Sequence, residues 1–429
     1  MFDELSTLYQ FRKNLKLDPK ILEEIQRKKL KSIIKHAYDN IPFYHVKFKE
    51  LNIRPDDIKT LTDISKIPFT TKSEIQKNYP DKIIARNVDP KKCSIRRTSG
   101  SQGQPLSVFV DERAANIDNA MWHRALFENG LTIFDKMAVL PNPHRLHQSK
   151  RWFQNLGIMR RKYVSVLDKP EIQIKILNEY NPDIIKTYPS YLSTLIYQCK
   201  KSDIIVHPKS IYTTSELIND DIRYLIEKSF NSEIYDYYSS EEFTLIAWEC
   251  KRHNGYHINS DNLVVEIIKD DEYSVLDEEG EIVCTSLNNY AMPLIRYKIG
   301  DIGIMSNNVC NCGVKLPMLK MIQGRTDDYL TATDGRIISP RAISDVFTYD
   351  YIYDAGIVQF RIIQNEINSL KINIITNEKF NINNLELIKK EFLTVLGKDM
   401  QIKFILNKNI KNKSKIKLRK IISKVPIKF

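Results

Sequence analysis

Residues 94–111 read SIRRTSGSQGQPLSVFVD: two short apolar-alternating runs flanking Thr98-Ser99-Gly100-Ser101-Gln102-Gly103-Gln104-Pro105. The runs have the pattern of two strands, and the segment between them packs three hydroxyls and two glycines into eight residues. Such a loop can turn several backbone N–H groups inward and let a polyanion approach them closely. It lacks the G-K-[ST] ending of a Walker loop and the G-x-G-x-x-G spacing of a dinucleotide fingerprint. A plain hairpin turn is the alternative on the loop alone.

Working outward, the chain alternates. AANIDNAMWHRALFENG is a helix that stops at Gly130, KMAVL a buried strand and EIQIKILNEY a helix. PDIIKTY is a strand, SYLSTLIYQCKK a helix that Ser190 could cap, KSIYTTSE a strand, NDDIRYLIEKSF a helix and SEIYDYYS a strand. Strand–helix–strand alternation with short links predicts an α/β fold with a mostly parallel, helix-wrapped sheet. LVVEIIKDDEY, GEIVCTSL and the segment around IRY follow as antiparallel strands. The periodicity predicts helices over residues 1–75, an N-terminal part of one large domain whose core runs over 76–326. A small α+β domain over 327–429 carries FRIIQ, SLKINIIT, NLELIKKEFLTVLG and QIKFIL.

The 429 residues carry 65 Lys+Arg against 53 Asp+Glu, a net charge of +12. Ten of those charges fall between Gln401 and Phe429, where nine Lys and Arg419 stand without an acid. A uniformly basic nucleic-acid binder has another distribution, so no specific nucleic-acid partner is expected; a solvated basic face is the simplest reading of the tail. Six Cys fit a reducing compartment rather than a disulfide scaffold. No apolar run approaches the roughly 18 to 20 residues of a membrane span, and MFDELSTLYQFRKNLKLD has no signal-peptide core. A cytoplasmic protein without a membrane span is therefore expected.

The loop resembles the (S/T)-S-G-(S/T)-T-G-x-P signature of adenylate-forming enzymes, the acyl-CoA synthetase superfamily. Four further segments follow in that family's order. Tyr238-Ser239-Ser240-Glu241-Glu242 resembles Y-G-x-x-E, and Tyr297-Lys298-Ile299-Gly300-Asp301 resembles Y-R-T-G-D. Gly324-Arg325-Thr326-Asp327-Asp328 resembles the G-R-x-D-D hinge, and Lys417 in KIKLRKIISKV the C-terminal catalytic lysine. YSSEEFTLIAWEC, GYHI, LIRYKIGDIG and CNCG are similar to the phenylacetate–CoA ligase-like group and its capsular-polysaccharide (CapK-type) branch. The chain departs from the pattern at Gln102, where Thr is usual, at Ser239, where Gly is usual, and at Ile416, which precedes Lys417 where Gly is usual; Lys415 is the rival lysine.

The resemblance implies a large adenylation domain with wrapped sheets and barrel-like strands, followed by a small mobile C-terminal lid. It implies that a small-molecule carboxylic acid reacts with ATP to give an acyl-adenylate and pyrophosphate. CoA, or an amine or hydroxyl of a sugar or other small molecule, then displaces AMP. The first step joins two anions, so its barrier is charge repulsion and positioning. Thr98, Ser99, Gly100, Ser101 and Gly103 would cradle phosphates, and Glu242 would hold Mg²⁺. Asp301 would accept the ribose hydroxyls, with Tyr237 and Tyr238 as a flat face for adenine beside Ser239 and Ser240. Ser215-Glu216 resembles the adenine-side segment, Arg325 would bind ribose or α-phosphate, and Lys417 would place a cation on the attacking oxygen. Plain surface acids are the alternative for Glu241 and Glu242, and a turn Asp for Asp301.

Cys250 and His257 stand about fifty residues before Cys310-x-Cys312. Three thiolates and an imidazole suit tetrahedral Zn²⁺, and without an open position such a site is structural. His253 is a fallback ligand, and buried free thiols are the alternative. His144, Arg145, His147, Lys150 and Arg151, with Trp122-His123-Arg124, suggest a polar or anionic acid, surface-loop residues being the plainer reading. Beside the ligase stand two other readings. One is an adenylyltransferase that stops after AMP transfer to a coenzyme-like acceptor; the other is a nucleic-acid or anionic-surface binder using the basic tail. Capsule-associated or secondary metabolism and a homodimer are the expected setting.

Overall fold

The structure is a computed structural model. It describes residues 2–98, 106–140, 152–165, 168–216, 218, 220–269, 272–273, 276–323, 330–338, 343, 346, 357–376, 378, 380–407 and 421–425. The chain opens with four helices, α1 (Phe2–Asn14), α2 (Pro19–Asn40), α3 (Pro42–Glu50) and α4 (Lys72–Asn78). In α2 the residues Leu22, Leu30, Ile33, Ile34 and Ala37 form one buried stripe at helical spacing. Thr71 and Glu74 close a capping box on α4.

Strands β1 (Ser94–Arg97) and β2 (Ser107–Val110) pair antiparallel, with Arg97 opposite Ser107. The expected strand–loop–strand reading holds, and the Gly/Ser segment is the connection between them. Helix α5 (Glu112–Glu128) is capped by the Asp111 side chain and ends at Asn129, before Gly130 at φ +94°.

Then comes the alternating part: β3 (Met137–Val139), β4 (Arg161–Tyr163), α6 (Pro170–Tyr180), β5 (Ile184–Thr187), α7 (Pro189–Ser202), β6 (Ser210–Thr214), α8 (Asp220–Phe230) and β7 (Glu233–Ser240). Ser190 does not cap α7. Tyr188 holds the cap position, and Pro189 starts the helix where its missing N–H costs nothing. Strands β4, β3, β5 and β6 run parallel in that order around a core of Ala138, Leu177, Ile185, Leu195 and Ile211.

After β7 the pattern becomes antiparallel. The strands are β8 (Thr244–Glu249), β9 (Tyr256–Ile258), β10 (Leu263–Lys269), β11 (Glu272–Tyr273), β12 (Glu279–Ser286), β13 (Tyr297–Ser306) and β14 (Met318–Gln323). They pair in the order β11–β10–β12–β13–β14–β9–β8–β7. The rest of the described chain holds a two-stranded β15 (Leu330–Thr331) and β16 (Ile337–Ile338), then β17 (Ile357–Glu366), β18 (Ser369–Thr376), α9 (Asn384–Leu396), β19 (Gln401–Leu406) and β20 (Ile421–Ser423). The last four strands form a sheet in the order β19–β18–β17–β20 over Phe360, Ile372, Ile388, Phe392 and Ile421. Gly397 ends α9 at φ +105°, and a Cβ there would lie 2.0 Å from the Thr333 hydroxyl, so no other residue fits. The α/β architecture with a small C-terminal sheet is as the sequence predicts. Among the described residues no helix is long and apolar enough to cross a membrane.

The chain divides into two compact units. One comprises Met1–Arg97, Leu106–Gly130 and Tyr237–Gly324; the other comprises Thr98–Pro105, Leu131–Asp236 and Arg325–Phe429. A buried ion pair ties the first together. Arg124 of α5 grips Asp261 with both Nη atoms, at 2.7 and 3.0 Å, and both side chains are fully buried. Arg124 also donates to the Phe11 carbonyl, and Asn14 and Lys29 donate to Asp261. Removing one partner of such a pair strands the other charge in the core. Asp261→Ala is expected to lower stability by about 3–5 kcal/mol, read as the shift of the urea unfolding midpoint at unchanged slope; a shift under about 1 kcal/mol would show that the pair contributes little net stability.

Candidate functional site

Three residues, Glu241, Glu242 and Phe243, connect β7 to β8, with Ser240 opposite Thr244. The turn is closed by the Phe243 N–H donating to Ser240 Oγ at 3.1 Å. Glu242 therefore sits at the middle of a short hairpin loop, half-buried, and accepts a hydrogen bond from the Tyr297 hydroxyl at 3.2 Å. Four residues along β13 stands Asp301, whose Oδ2 accepts from the Tyr238 hydroxyl at 3.0 Å. Two carboxylates of the expected site, far apart in sequence, are thus each held by a tyrosine: Glu242 by Tyr297 of the strand that carries Asp301, and Asp301 by Tyr238 of the strand that leads into the Glu242 loop.

Residues adjacent on a strand face opposite ways. Tyr237 and Tyr238 accordingly do not make one aromatic face. Tyr237 is 1% exposed and packs on Trp122 at 5.5 Å between ring centres. Tyr238 is the tyrosine that reaches Asp301, and burial followed by the neighbouring Asp301 charge pushes its hydroxyl well above the usual range, so it stays a donor. The start of β13 is anchored by Arg296, at φ +47°, whose guanidinium binds Glu266 and the Ser65 and Ile67 carbonyls. Thr70 pairs backbone-to-backbone with Tyr297 beside it.

The β8 end of the hairpin holds residues to which the sequence reading assigned no role. Arg96 on β1 forms an ion pair with Asp118 of α5 at 2.8 Å and donates to the Thr244 hydroxyl. Thr244 in turn donates to Asp118 at 3.1 Å. Arg96, Asp118 and Glu242 line one cleft. The doubled Arg96-Arg97 before the loop was the available signal for the first of them.

Of the other expected site residues, Thr98 is buried where the Gly/Ser segment begins, and Ser99–Gly103 lie outside the described residues. In the second unit, Ser215 follows β6 at φ +71°, the left-handed region, with Glu216 next to it. Arg325, the Gly324–Asp328 segment, Lys415 and Lys417 lie outside the described residues, as do His144, Arg145, His147, Lys150 and Arg151. Arg124, expected near the acid, is a correction: it is wholly buried against Asp261 and faces no substrate. His123 lies 3.5 Å from Glu4.

The four cysteine and histidine residues converge. The ligand atoms of Cys250, His257, Cys310 and Cys312 all lie within 4.8 Å of one another. Cys250 and Cys310 sulfurs are 3.7 Å apart, and Cys312 Sγ is 3.3 Å from His257 Nε2. All six cysteines are free. The edges of a tetrahedron with Zn–S of about 2.3 Å and Zn–N of about 2.0 Å are about 3.5–3.8 Å, close to the 3.7 and 3.3 Å seen here and far beyond the S–S bond of a disulfide. The Val314 N–H points at Cys312 Sγ at 3.4 Å, the donor a thiolate wants. Burial pushes the Cys250 and Cys312 thiols up and His257 down to about 4, which keeps the imidazole in its neutral, ligating form. Gly255, at φ +114°, lets the Cys250–His257 turn meet β14: a Cβ there would lie 2.4 Å from the Leu319 carbonyl. His253 instead faces Glu249 at 3.5 Å.

Residues 330–424 match the CapK C-terminal domain family. A phenylacetate–coenzyme A ligase of Pseudomonas putida is 28% identical over 326 residues, covering 72% of each chain. The CapK protein of Staphylococcus aureus is 24% identical over 400 residues, covering 90% of this chain and 84% of its own. Among solved structures, a 2-hydroxyisobutyryl-CoA ligase with 2-HIB-AMP and CoA superposes with a TM-score of 0.67 at 19% identity, covering 96% of this chain and 91% of that one. The ordered motifs and the relatives support an AMP-forming ligase similar to the phenylacetate–CoA ligases and CapK of the adenylate-forming enzymes, and the fold is that of a CoA ligase.

Proposed function

We propose that the protein activates a polar or anionic carboxylic acid with ATP and passes the acyl group to CoA or to a small-molecule amine or hydroxyl. The observation that carries this is the pair of tyrosine-held carboxylates, Glu242 and Asp301, brought together by β7 and β13. Asp301 has the acceptor capacity for two ribose hydroxyls, with Tyr238 fixing one of its oxygens. Glu242 is a half-buried hard carboxylate steadied by a hydroxyl, a donor that suits Mg²⁺, which keeps most of its waters and takes one or two protein carboxylates. When bound, the ion would neutralise phosphate charge. Ser99, Gly100, Ser101 and Gly103 serve the phosphates, Ser215 and Glu216 the adenine side, Arg325 the ribose or α-phosphate, and Lys417 the attacking oxygen. The Gly324–Asp328 hinge lets the C-terminal residues exchange roles between half-reactions. Cys250, His257, Cys310 and Cys312 hold a structural Zn²⁺. A cytoplasmic setting and surface-polysaccharide or secondary metabolism fit the CapK likeness.

Pyrophosphate release is to be screened over phenylacetate, amino acids, hydroxy acids and sugar acids, with and without CoA. The expected result is acid-dependent release with the best polar acid at least about tenfold above phenylacetate in kcat/KM, a margin of about 1.4 kcal/mol. A clear preference for phenylacetate would remove the polar-acid reading, and release that does not depend on any acid would remove the ligase reading.

A further inference from the structure

Thr244 has φ +60°. That is a left-handed conformation which β-branched residues rarely adopt. The strand pairing also shifts register nearby, between Tyr238 and Ser239. A glycine would relieve the backbone but would carry no hydroxyl. The threonine hydroxyl works in both directions: it accepts from Arg96 Nη1 and donates to Asp118 Oδ2 at 3.1 Å. Arg96 also binds Asp118 directly at 2.8 Å, and the Asp118 side chain is only 15% exposed. Three elements therefore meet at one carboxylate: the β1 stem two residues before Thr98, helix α5, and the hairpin two residues after Glu242.

We propose that Asp118, Arg96 and Thr244 are a positioning triad that fixes the Glu242 hairpin and the stem of the phosphate loop as one rigid piece. The proposal rests on the adenylating role given to Glu242 and the loop. None of the three is a catalytic residue. They set where the carboxylate and the β1 stem stand, so their loss should impair adenylation and spare transfer from a finished acyl-adenylate.

The test uses the full chain with Asp118→Asn, Thr244→Val and Thr244→Ser. Asp118→Asn removes the charge, Thr244→Val removes the hydroxyl at constant shape, and Thr244→Ser keeps it. Hydrogen–deuterium exchange comes first, because it needs no substrate. In the first two variants, amide exchange in residues 94–97 and 241–244 should rise together by about tenfold, while β10 and β12 stay unchanged; Thr244→Ser should stay near wild type. A rise in only one segment, or in neither, overturns the triad. Acid-dependent ATP–pyrophosphate exchange should then fall about tenfold or more in Asp118→Asn and Thr244→Val, with transfer from supplied acyl-adenylate within about twofold of wild type. A parallel fall in both half-reactions means a merely structural role and overturns the proposal. A silent wild type with coupled amide exchange leaves the triad standing and counts against the adenylation reading alone.

Discussion

Lys417→Ala is expected to abolish acid-dependent ATP–pyrophosphate exchange, by at least about 10²–10³-fold, and to leave transfer of the acyl group from a supplied acyl-adenylate intact. The argument begins with charge. A carboxylate oxygen approaching the α-phosphate must overcome repulsion between anions, and one cation placed on both lowers that barrier more than any distributed field. Ten of the twelve net positive charges lie between Gln401 and Phe429, so the last segment can deliver such a cation. Lys417 stands four residues before β20, which pairs parallel with β17 and buries Ile421 in the C-terminal sheet. Its neighbours Lys413, Lys415 and Lys420 carry the same charge, so a general electrostatic role would make them interchangeable. Lys415→Ala is therefore the decisive control: exchange within about threefold of wild type there, and none in Lys417→Ala, assigns the chemistry to one lysine. Equal losses in the two variants would mean a field effect, and near-normal exchange in Lys417→Ala would remove the assignment.

How far the sequence could be read depended on how local the determining contacts are. The β1–β2 hairpin, the parallel strands with their helices and the stripe of α2 rest on periodicity within one element, and all are present. The Cys/His cluster was legible because three thiols and an imidazole at these spacings suggest that they converge. What escaped depends on partners remote in sequence. Arg124 read as a substrate-facing cation because arginines are seldom fully buried, yet its partner Asp261 is 137 residues away. Asp118 and Thr244 are 126 residues apart, and nothing in a threonine's neighbours announces a left-handed backbone. The two adjacent tyrosines did not need the structure: SEIYDYYS reads as a strand, and neighbours on a strand face opposite ways, so the single aromatic face expected of Tyr237 and Tyr238 was at odds with that strand.

The metal centre carries the second large expectation. The protein purified under reducing conditions should contain about one zinc per chain, and Cys312→Ser should contain none. Losing the ion should cost more than about 4 kcal/mol of stability, a fall in Tm on the order of 10 °C for a unit of this size. The reason is topological. Cys250 directly follows β8, His257 lies on β9 opposite Met318 of β14, and Cys310 and Cys312 lie between β13 and β14. One ion would close loops of about fifty residues that short, bulged pairings otherwise hold. Without it, buried thiols and an imidazole are left with weak mutual hydrogen bonds in place of four metal–ligand bonds. Because β8 leads back through the hairpin to Glu242, and β13 carries Tyr297 and Asp301, the loosened segments are those that position the two carboxylates. His253→Ala should keep its zinc, since His253 faces Glu249, and Cys93→Ser should keep it too. Wild-type protein free of metal, or Cys312→Ser with unchanged Tm, would reduce the cluster to packed thiols.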